Sequence, residues 1–187
     1  MTEDLTADDV DESLDTRRLR LRPLRRGDAP AIAAYLADYD VAKMLGRVPF
    51  PYKLKDAETF VEHHEGERVF AITLKASGEL IGITSLRSIS PKHADLGYWL
   101  GRPHWGHGYA TEAAQRMIDY GFETLKLARI DADCRVVNEA SRRVLRKCGF
   151  PFCGPGMLQT LASGRVASEH YAMDRRCWEA IRAWGRS

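Results

Sequence analysis

Two glycines, Gly106 and Gly108, stand just before a helix-forming run that opens at Tyr109, and they follow residues 95–100, which read as a strand. A strand that turns through glycine into a helix leaves the first backbone N–H groups of that helix without partners, and the helix dipole adds partial positive charge there. An anion, phosphate above all, is the natural guest. Glycine lets the backbone approach oxygen atoms with no β-carbon between, and Ala110 is the next smallest choice. A tight strand-to-helix turn accounts for two glycines equally well. The Walker A lysine is missing, and Gly-x-Gly-Tyr-Ala does not complete a Rossmann Gly-x-Gly-x-x-Gly, so neither an NTPase loop nor a dinucleotide fingerprint is supported.

The elements that must position this loop alternate between strand and helix. Arg18-Leu19-Arg20-Leu21-Arg22 repeats with period two up to Pro23 and predicts a half-buried first strand. Asp28 as N-cap, Pro30, and the apolar Ile32, Ala33 and Leu36 predict a helix, with a short helical piece over residues 41–45. Asp56 is placed to cap a helix carrying Ala57, Phe60 and Val61. Residues 69–74 and 80–89 flank Ser77-Gly78 and predict an antiparallel hairpin. After the glycine loop, Ala110, Ala113, Ala114, Met117, Ile118 and Gly121 recur at helical spacing, and so small a face must lie close on a sheet. A strand over 130–136, a helix capped by Asn138 and stopped at Gly149, a strand over 169–173 and a helix over 178–184 complete the series, with Gly154-Pro155-Gly156 as a turn cluster. The fold class expected is α/β in the broad sense, including α+β.

The loop sequence, Trp105-Gly106-His107-Gly108-Tyr109-Ala110-Thr111-Glu112-Ala113, resembles the pyrophosphate loop of the GNAT superfamily of N-acetyltransferases, Arg/Gln-x-x-Gly-x-Gly/Ala. It is closest to the form usual in the RimJ/RimL-like branch of ribosomal-protein N-terminal acetyltransferases. Thr16 to Leu24, Leu80-Ile81-Gly82, Leu96-Gly97-Tyr98-Trp99-Leu100, Asn138-Glu139-Ala140-Ser141 and Lys147-Cys148-Gly149-Phe150 agree in order and spacing over roughly residues 16–175. The resemblance implies a GNAT fold, with a mixed, mostly antiparallel central sheet flanked by helices. Its fourth and fifth strands would splay apart around the pantetheine arm of acetyl-CoA. Backbone groups of Gly106, His107, Gly108, Tyr109 and Ala110 would hold the pyrophosphate, and main-chain groups near Trp99 and Leu100 would bond the pantetheine and the thioester. Asn138 would present its amide to the same arm, in addition to capping its helix. Trp105 occupies the position that many relatives fill with Arg or Gln, so His107, Arg142, Arg143 and Arg146 become candidate charge partners for the phosphates.

Attack on a thioester requires a neutral amine. Near pH 7 an α-amine of pKa roughly 7.7 to 8.0 is about a tenth neutral, whereas a lysine of about 10.4 is well under a thousandth neutral. Asp95, where relatives often carry Glu or Asp, and His93 beside it are the candidates for taking the proton. Many superfamily members protonate the leaving thiolate with a tyrosine four residues beyond the position of Ser141; Leu145 stands there in this chain. In the RimJ/RimL-like branch the serine of Asn-x-x-Ser takes that place, which points to Ser141 as donor to the sulfur.

Composition sets the frame. The chain has 187 residues, 44% of them apolar, which suits one domain with its own core. No apolar run is long enough for a membrane span or a secretory signal, so a cytoplasmic protein without membrane partners is expected. Residues 1–15 hold seven acids and no Lys or Arg; removing their charge from the net +2 leaves +9 for residues 16–187. An acidic flexible tail over 1–15 and a single acetyltransferase domain over 16–187 are therefore expected. The basic excess is spread out, with no arginine-rich helix, and nucleic acid is not expected as a partner. Cys134, Cys148, Cys153 and Cys177 match no zinc or CxxC spacing and read as free thiols, buried or half-buried; His63 and His64 point too far apart on a helix to share a metal, so none is expected. The expected function is transfer of acetyl from acetyl-CoA to a primary amine, foremost a protein or peptide N-terminal α-amine. A small-molecule amine (an antibiotic or a polyamine) is the alternative acceptor, and a non-catalytic acyl-CoA-binding module is the alternative class. Neither the acceptor nor the oligomeric state is legible.

Overall fold

The computed structural model of the chain describes residues 12–64 and 67–184. Its strands are β1 (Leu14–Asp15), β2 (Leu19–Pro23), β3 (Glu67–Leu74), β4 (Leu80–Ser90), β5 (His93–Leu100), β6 (Arg129–Arg135), β7 (Phe152–Thr160) and β8 (Gly164–Asp174). The helices are α1 (Ala29–Leu36), α2 (Tyr39–Ala42), α3 (Leu54–Glu62), α4 (Tyr109–Glu123), α5 (Glu139–Lys147) and α6 (Arg175–Trp184). The strands form one sheet in the order β1-β2-β3-β4-β5-β6-β8-β7. Only β5 and β6 run parallel, because α4 carries the chain back between them; every other neighbouring pair is antiparallel.

The period-two patterns do what they predict. Leu19 and Leu21 of β2 are fully buried and join Phe70, Ile72, Leu86, Leu96 and Leu100 in a core against α4 and α5. Each such side chain contributes about 1.5–3 kcal/mol when taken from water. A second core joins Val69, Ala71, Leu80 and Ile83 of β3 and β4 to Ala29, Ile32 and Leu36 of α1 and Ala57 and Val61 of α3. The small face of α4 lies close on the sheet, as its sequence requires: a β-carbon at Gly121 would stand 2.8 Å from Ile130 Cδ1 and 3.1 Å from Leu86 Cδ1.

Several expectations are corrected. Of the proposed tail, residues 1–11 lie outside the described residues, but Glu12 to Asp15 belong to the fold: Leu14 is buried, Leu14–Asp15 pairs with β2, and the Tyr120 hydroxyl donates to Glu12. Asp28 does not cap α1 with its side chain; it accepts the Arg25 N–H and a bidentate pair from Arg22, which closes a 3₁₀ turn before the helix. The helical piece expected over 41–45 lies at Tyr39–Ala42, capped by Asp38. Asp56 serves α3 from its third position, accepting the Lys53 N–H; the helix ends at Glu62, so His63 and His64 are beyond it. Gly154-Pro155-Gly156 is not a turn but part of β7. That strand is the sheet edge, where a proline without an N–H is tolerated, and Gly154 sits at a register shift. Four free cysteines are present as expected, although Cys153 is exposed.

Candidate active site

The parallel pairing of β5 with β6 covers His93, Ala94 and Asp95 against Arg129, Ile130 and Asp131, and then stops. Beyond it β5 continues on β4 and β6 continues on β8, so the two strands part. A cleft of about 640 Å³ fills the opening, lined by Leu96 to Leu100 on one side and Ala132, Asp133 and Cys134 on the other. Gly106, Gly108, Tyr109 and Ala110 border it at the start of α4, and Asn138 and Ser141 border it at the start of α5.

The loop conformation explains its glycines. Gly106 and Gly108 have φ of 81° and 79°, a region that costs residues with a β-carbon about 1–2 kcal/mol. Gly108 is the N-cap of α4, and no side chain occupies that cap, so the first N–H groups of a fifteen-residue helix face outward. A β-carbon at Gly106 would meet nothing within 4 Å, which leaves open space beside the free donors. These features fit a pyrophosphate.

Arg18, part of an alternating strand pattern in the sequence, packs against this loop. Arg18, before β2, donates from Nη1 to the His107 carbonyl at 2.9 Å and lies 4.5 Å over the Tyr109 ring. Its Nε and backbone N–H both donate to Glu112, at 2.8 Å each, and the Thr16 hydroxyl donates to the same carboxylate at 2.6 Å. Among the proposed charge partners, Arg142 is paired with Glu169, whereas Arg143 lines the cleft and makes an exposed 3.5 Å pair with Glu139. His107 stacks on Tyr109 and is not among the residues lining the cleft. Trp105 has a structural task in place of the lost Arg or Gln: its indole N–H donates to the Leu100 carbonyl at 2.8 Å and ties the loop to the end of β5.

At the other helix start, Asn138 Oδ1 accepts the Ser141 N–H at 3.1 Å, an N-cap as expected. Ser141 Oγ lies 2.9 Å from the Tyr98 hydroxyl. Burial pushes the Tyr98 phenol well above its ordinary pKa, so it stays neutral.

His93 and Asp95, the two expected bases, lie where β5 and β6 are still paired, and neither lines the cleft. Asp95 is ion-paired with Arg87, and burial raises its pKa, only partly offset by that arginine. His93 Nε2 stands 3.0 Å from Asp131, which also takes Arg129 Nε at 2.5 Å. Two carboxylates do line the opening, Glu139 at the start of α5 and Asp133 on β6; the cross-strand partner of Asp133 on β8 is His170, with Nδ1 at 3.1 Å from Oδ1. Among the described residues no group of three or more His, Cys, Asp or Glu is arranged to hold a metal ion, and no helix is long and apolar enough to cross a membrane.

A sheet that opens between two parallel strands, with an uncapped helix N-terminus at the opening, is the architecture of an acyl-CoA-dependent acyltransferase. Residues 18–151 match the acetyltransferase (GNAT) domain, and the chain belongs to that family of acetyl-CoA-dependent enzymes. It is 36% identical over 147 residues to the uncharacterised N-acetyltransferase p20 of Bacillus licheniformis, covering 74% of this chain and 82% of that one. A shorter match, 39% over 74 residues, joins it to the ribosomal-protein-serine acetyltransferase of Escherichia coli, covering 38% of this chain and 41% of that protein. Among solved structures, a GNAT-family acetyltransferase from Bacillus anthracis superposes with a TM-score of 0.78 at 27% identity, covering 88% of this chain and 99% of that one.

Proposed function

We propose that this acetyltransferase moves the acetyl group of acetyl-CoA to the α-amine of a peptide or protein N-terminus by direct attack. The backbone of Gly106 to Ala110 would hold the pyrophosphate, and Arg18 braces that loop through the His107 carbonyl. The pantetheine arm runs between β5 and β6, alongside Trp99, Leu100 and the Asn138 amide. The Ser141 hydroxyl donates to the sulfur as it departs.

The observation that carries the acceptor class is the composition of the remaining wall. Val41, Met44 and Leu45, from α2 and the loop after it, and Leu158 of β7 line the cleft there. The wall is held together by the Leu161 N–H on the Gly46 carbonyl at 3.0 Å and by Arg135 on the Lys43 carbonyl. Asp133 and Glu139 are the only acids among the cleft-lining residues. A polyamine carries several cationic centres along its length and calls for carboxylates spread to match them. A peptide N-terminus brings a single amine and an uncharged backbone, which suits an apolar wall with few carboxylates. The match to a ribosomal-protein-serine acetyltransferase points the same way.

Thiol release from acetyl-CoA, measured with a short alanine-initiated peptide and with spermidine, tests this. A kcat/KM at least tenfold higher for the peptide is expected. A preference for spermidine overturns the α-amine assignment and moves the enzyme to the small-molecule group.

A further inference from the structure

On the face of the sheet away from α4 and α5, three carboxylates lie close together where β5 and β6 part. Their partners separate them. Asp95 is ion-paired with Arg87, and Asp131 with Arg129; burial alone would raise Asp131, but the Arg129 hydrogen bonds outweigh it and keep that carboxyl below the usual range. Asp133 has no guanidinium or ammonium partner among the described ion pairs; its one partner is the His170 imidazole.

The position of Asp133 follows from register. Asp131 pairs with Asp95 in the last rung of the parallel ladder, so Asp133 is two residues into the opening and points to the same face as Asp131. Ala132 and Cys134, between and beyond them, point into the core under α4 and α5. Asp133 is thus a cleft-lining acid on the face opposite the helices whose N-termini hold acetyl-CoA, which is the face left for an acceptor. His170 is its direct antiparallel partner, and Nε2 of the same ring lies 3.6 Å from Asp131. A ring set between two acids, one of them locked by Arg129, positions the Asp133 carboxylate.

We infer that Asp133 is the proton acceptor for the attacking amine and that His170 is its positioning residue. This rests on the amine-acetylation reading, not on which amine is used. The amine lone pair forms the N–C bond to the thioester carbonyl carbon, and the C–S bond breaks as CoA leaves as thiolate, stabilised by the Ser141 hydroxyl. The proton released from nitrogen passes to the Asp133 carboxylate and from there to solvent. A nitrogen already bonding to carbon is far more acidic than a free ammonium, so a carboxylate is a competent base.

The test compares wild type with Asp133→Asn, His170→Gln and Asp95→Asn, using whichever of the alanine-initiated peptide and spermidine the wild type acetylates better. That choice separates the two questions: a switch to spermidine overturns the α-amine reading and leaves this assay intact. Asp133→Asn is expected to lower kcat on the order of a hundredfold at pH 7, within the range of general-base effects, with acetyl-CoA affinity by calorimetry unchanged. The deficit should narrow toward pH 9.5, where solvent takes the proton more readily; a merely structural defect would not. His170→Gln should give a smaller loss, on the order of tenfold, with the same pH trend. A wild-type rate in Asp133→Asn, a loss independent of pH, or a larger loss in Asp95→Asn overturns the inference.

Discussion

The Tyr98 hydroxyl on β5 and Ser141 Oγ in the first turn of α5 meet at 2.9 Å across the opening between the splayed strands. Leu145, one helical turn beyond Ser141, is fully buried and carries no acid function. A phenol nonetheless reaches the serine, from the neighbouring strand instead of the same helix. The same phenol lies 3.3 Å from the Ser141 carbonyl, so Tyr98 holds both the backbone and the hydroxyl of the serine at the opening.

Ser141→Ala is therefore expected to reduce kcat on the order of ten- to a thousandfold, as for one lost donor at a developing anion, with the acetyl-CoA KM little changed. Tyr98→Phe should cost about tenfold, since it removes only the partner that orients the donor. The double variant should be no slower than Ser141→Ala alone, because the phenol acts on the reaction through the serine hydroxyl. Steady-state kinetics on the three variants check this; additive losses would mean that the two hydroxyls act separately.

Gly108 caps α4 at φ 79° and borders the cleft, where a β-carbon would stand 3.4 Å from Arg18 Nη2. Gly108→Glu brings bulk and negative charge to that spot and should weaken acetyl-CoA binding at least tenfold by calorimetry. Gly108→Ala isolates the backbone strain, about 1–2 kcal/mol, from the charge. Its affinity should fall between those of wild type and the glutamate variant, and equal affinity in all three would remove the phosphate from this loop.

Glu112 ties β2 to the loop by accepting from Thr16 and twice from Arg18. Burial alone would raise its pKa, but the hydrogen bonds from Thr16 and Arg18 outweigh burial and set it below the usual 4.5. The folded form thus binds its proton less readily than the unfolded form. Its stabilising contribution is fully present above the unfolded value and is lost as pH falls through the folded one. Glu112→Gln should lower the melting temperature at pH 7, with a smaller difference from wild type at pH 3.5. The freed Arg18 should also weaken acetyl-CoA binding at pH 7. Thermal melts at the two pH values decide the first point and calorimetry the second.

What the sequence made legible follows the range of the interactions involved. The loop was readable because its requirement is local: positive φ at two positions and a helix opening directly after them. Asn138 was readable for the same reason, since a cap acts over three residues. Tyr98 with Ser141 and Arg18 with Glu112 are separated by 43 and 94 positions, and no local pattern announces either meeting. Asp133 with His170 depends on the pairing register of β6 with β8, and on β5 having already left the ladder at Asp95. That point of departure is what removed His93 and Asp95 from the opening. β7 was hidden because Gly154-Pro155-Gly156 has turn chemistry, and only its position at the sheet edge allows it to be a strand.

Ionisation of the acceptor should set the pH profile of the reaction. Only the neutral amine attacks, and the cleft offers one carboxylate, Asp133, that no guanidinium neutralises. Such a site has modest means of deprotonating a strongly basic amine, so the supply of neutral acceptor should govern the rate. For an α-amine of pKa about 7.7 to 8.0 that supply saturates soon after pH 8, whereas for lysine, at about 10.4, it keeps rising tenfold per pH unit. An alanine-initiated peptide should therefore show kcat/KM that rises from pH 6 and levels near pH 8. An N-terminally blocked peptide bearing one lysine should be slower by at least a hundredfold at pH 7.5 and should gain steadily up to pH 9.5. Comparable rates for the two peptides at pH 7.5 would mean that the site lowers the lysine pKa itself, and the α-amine assignment would fall.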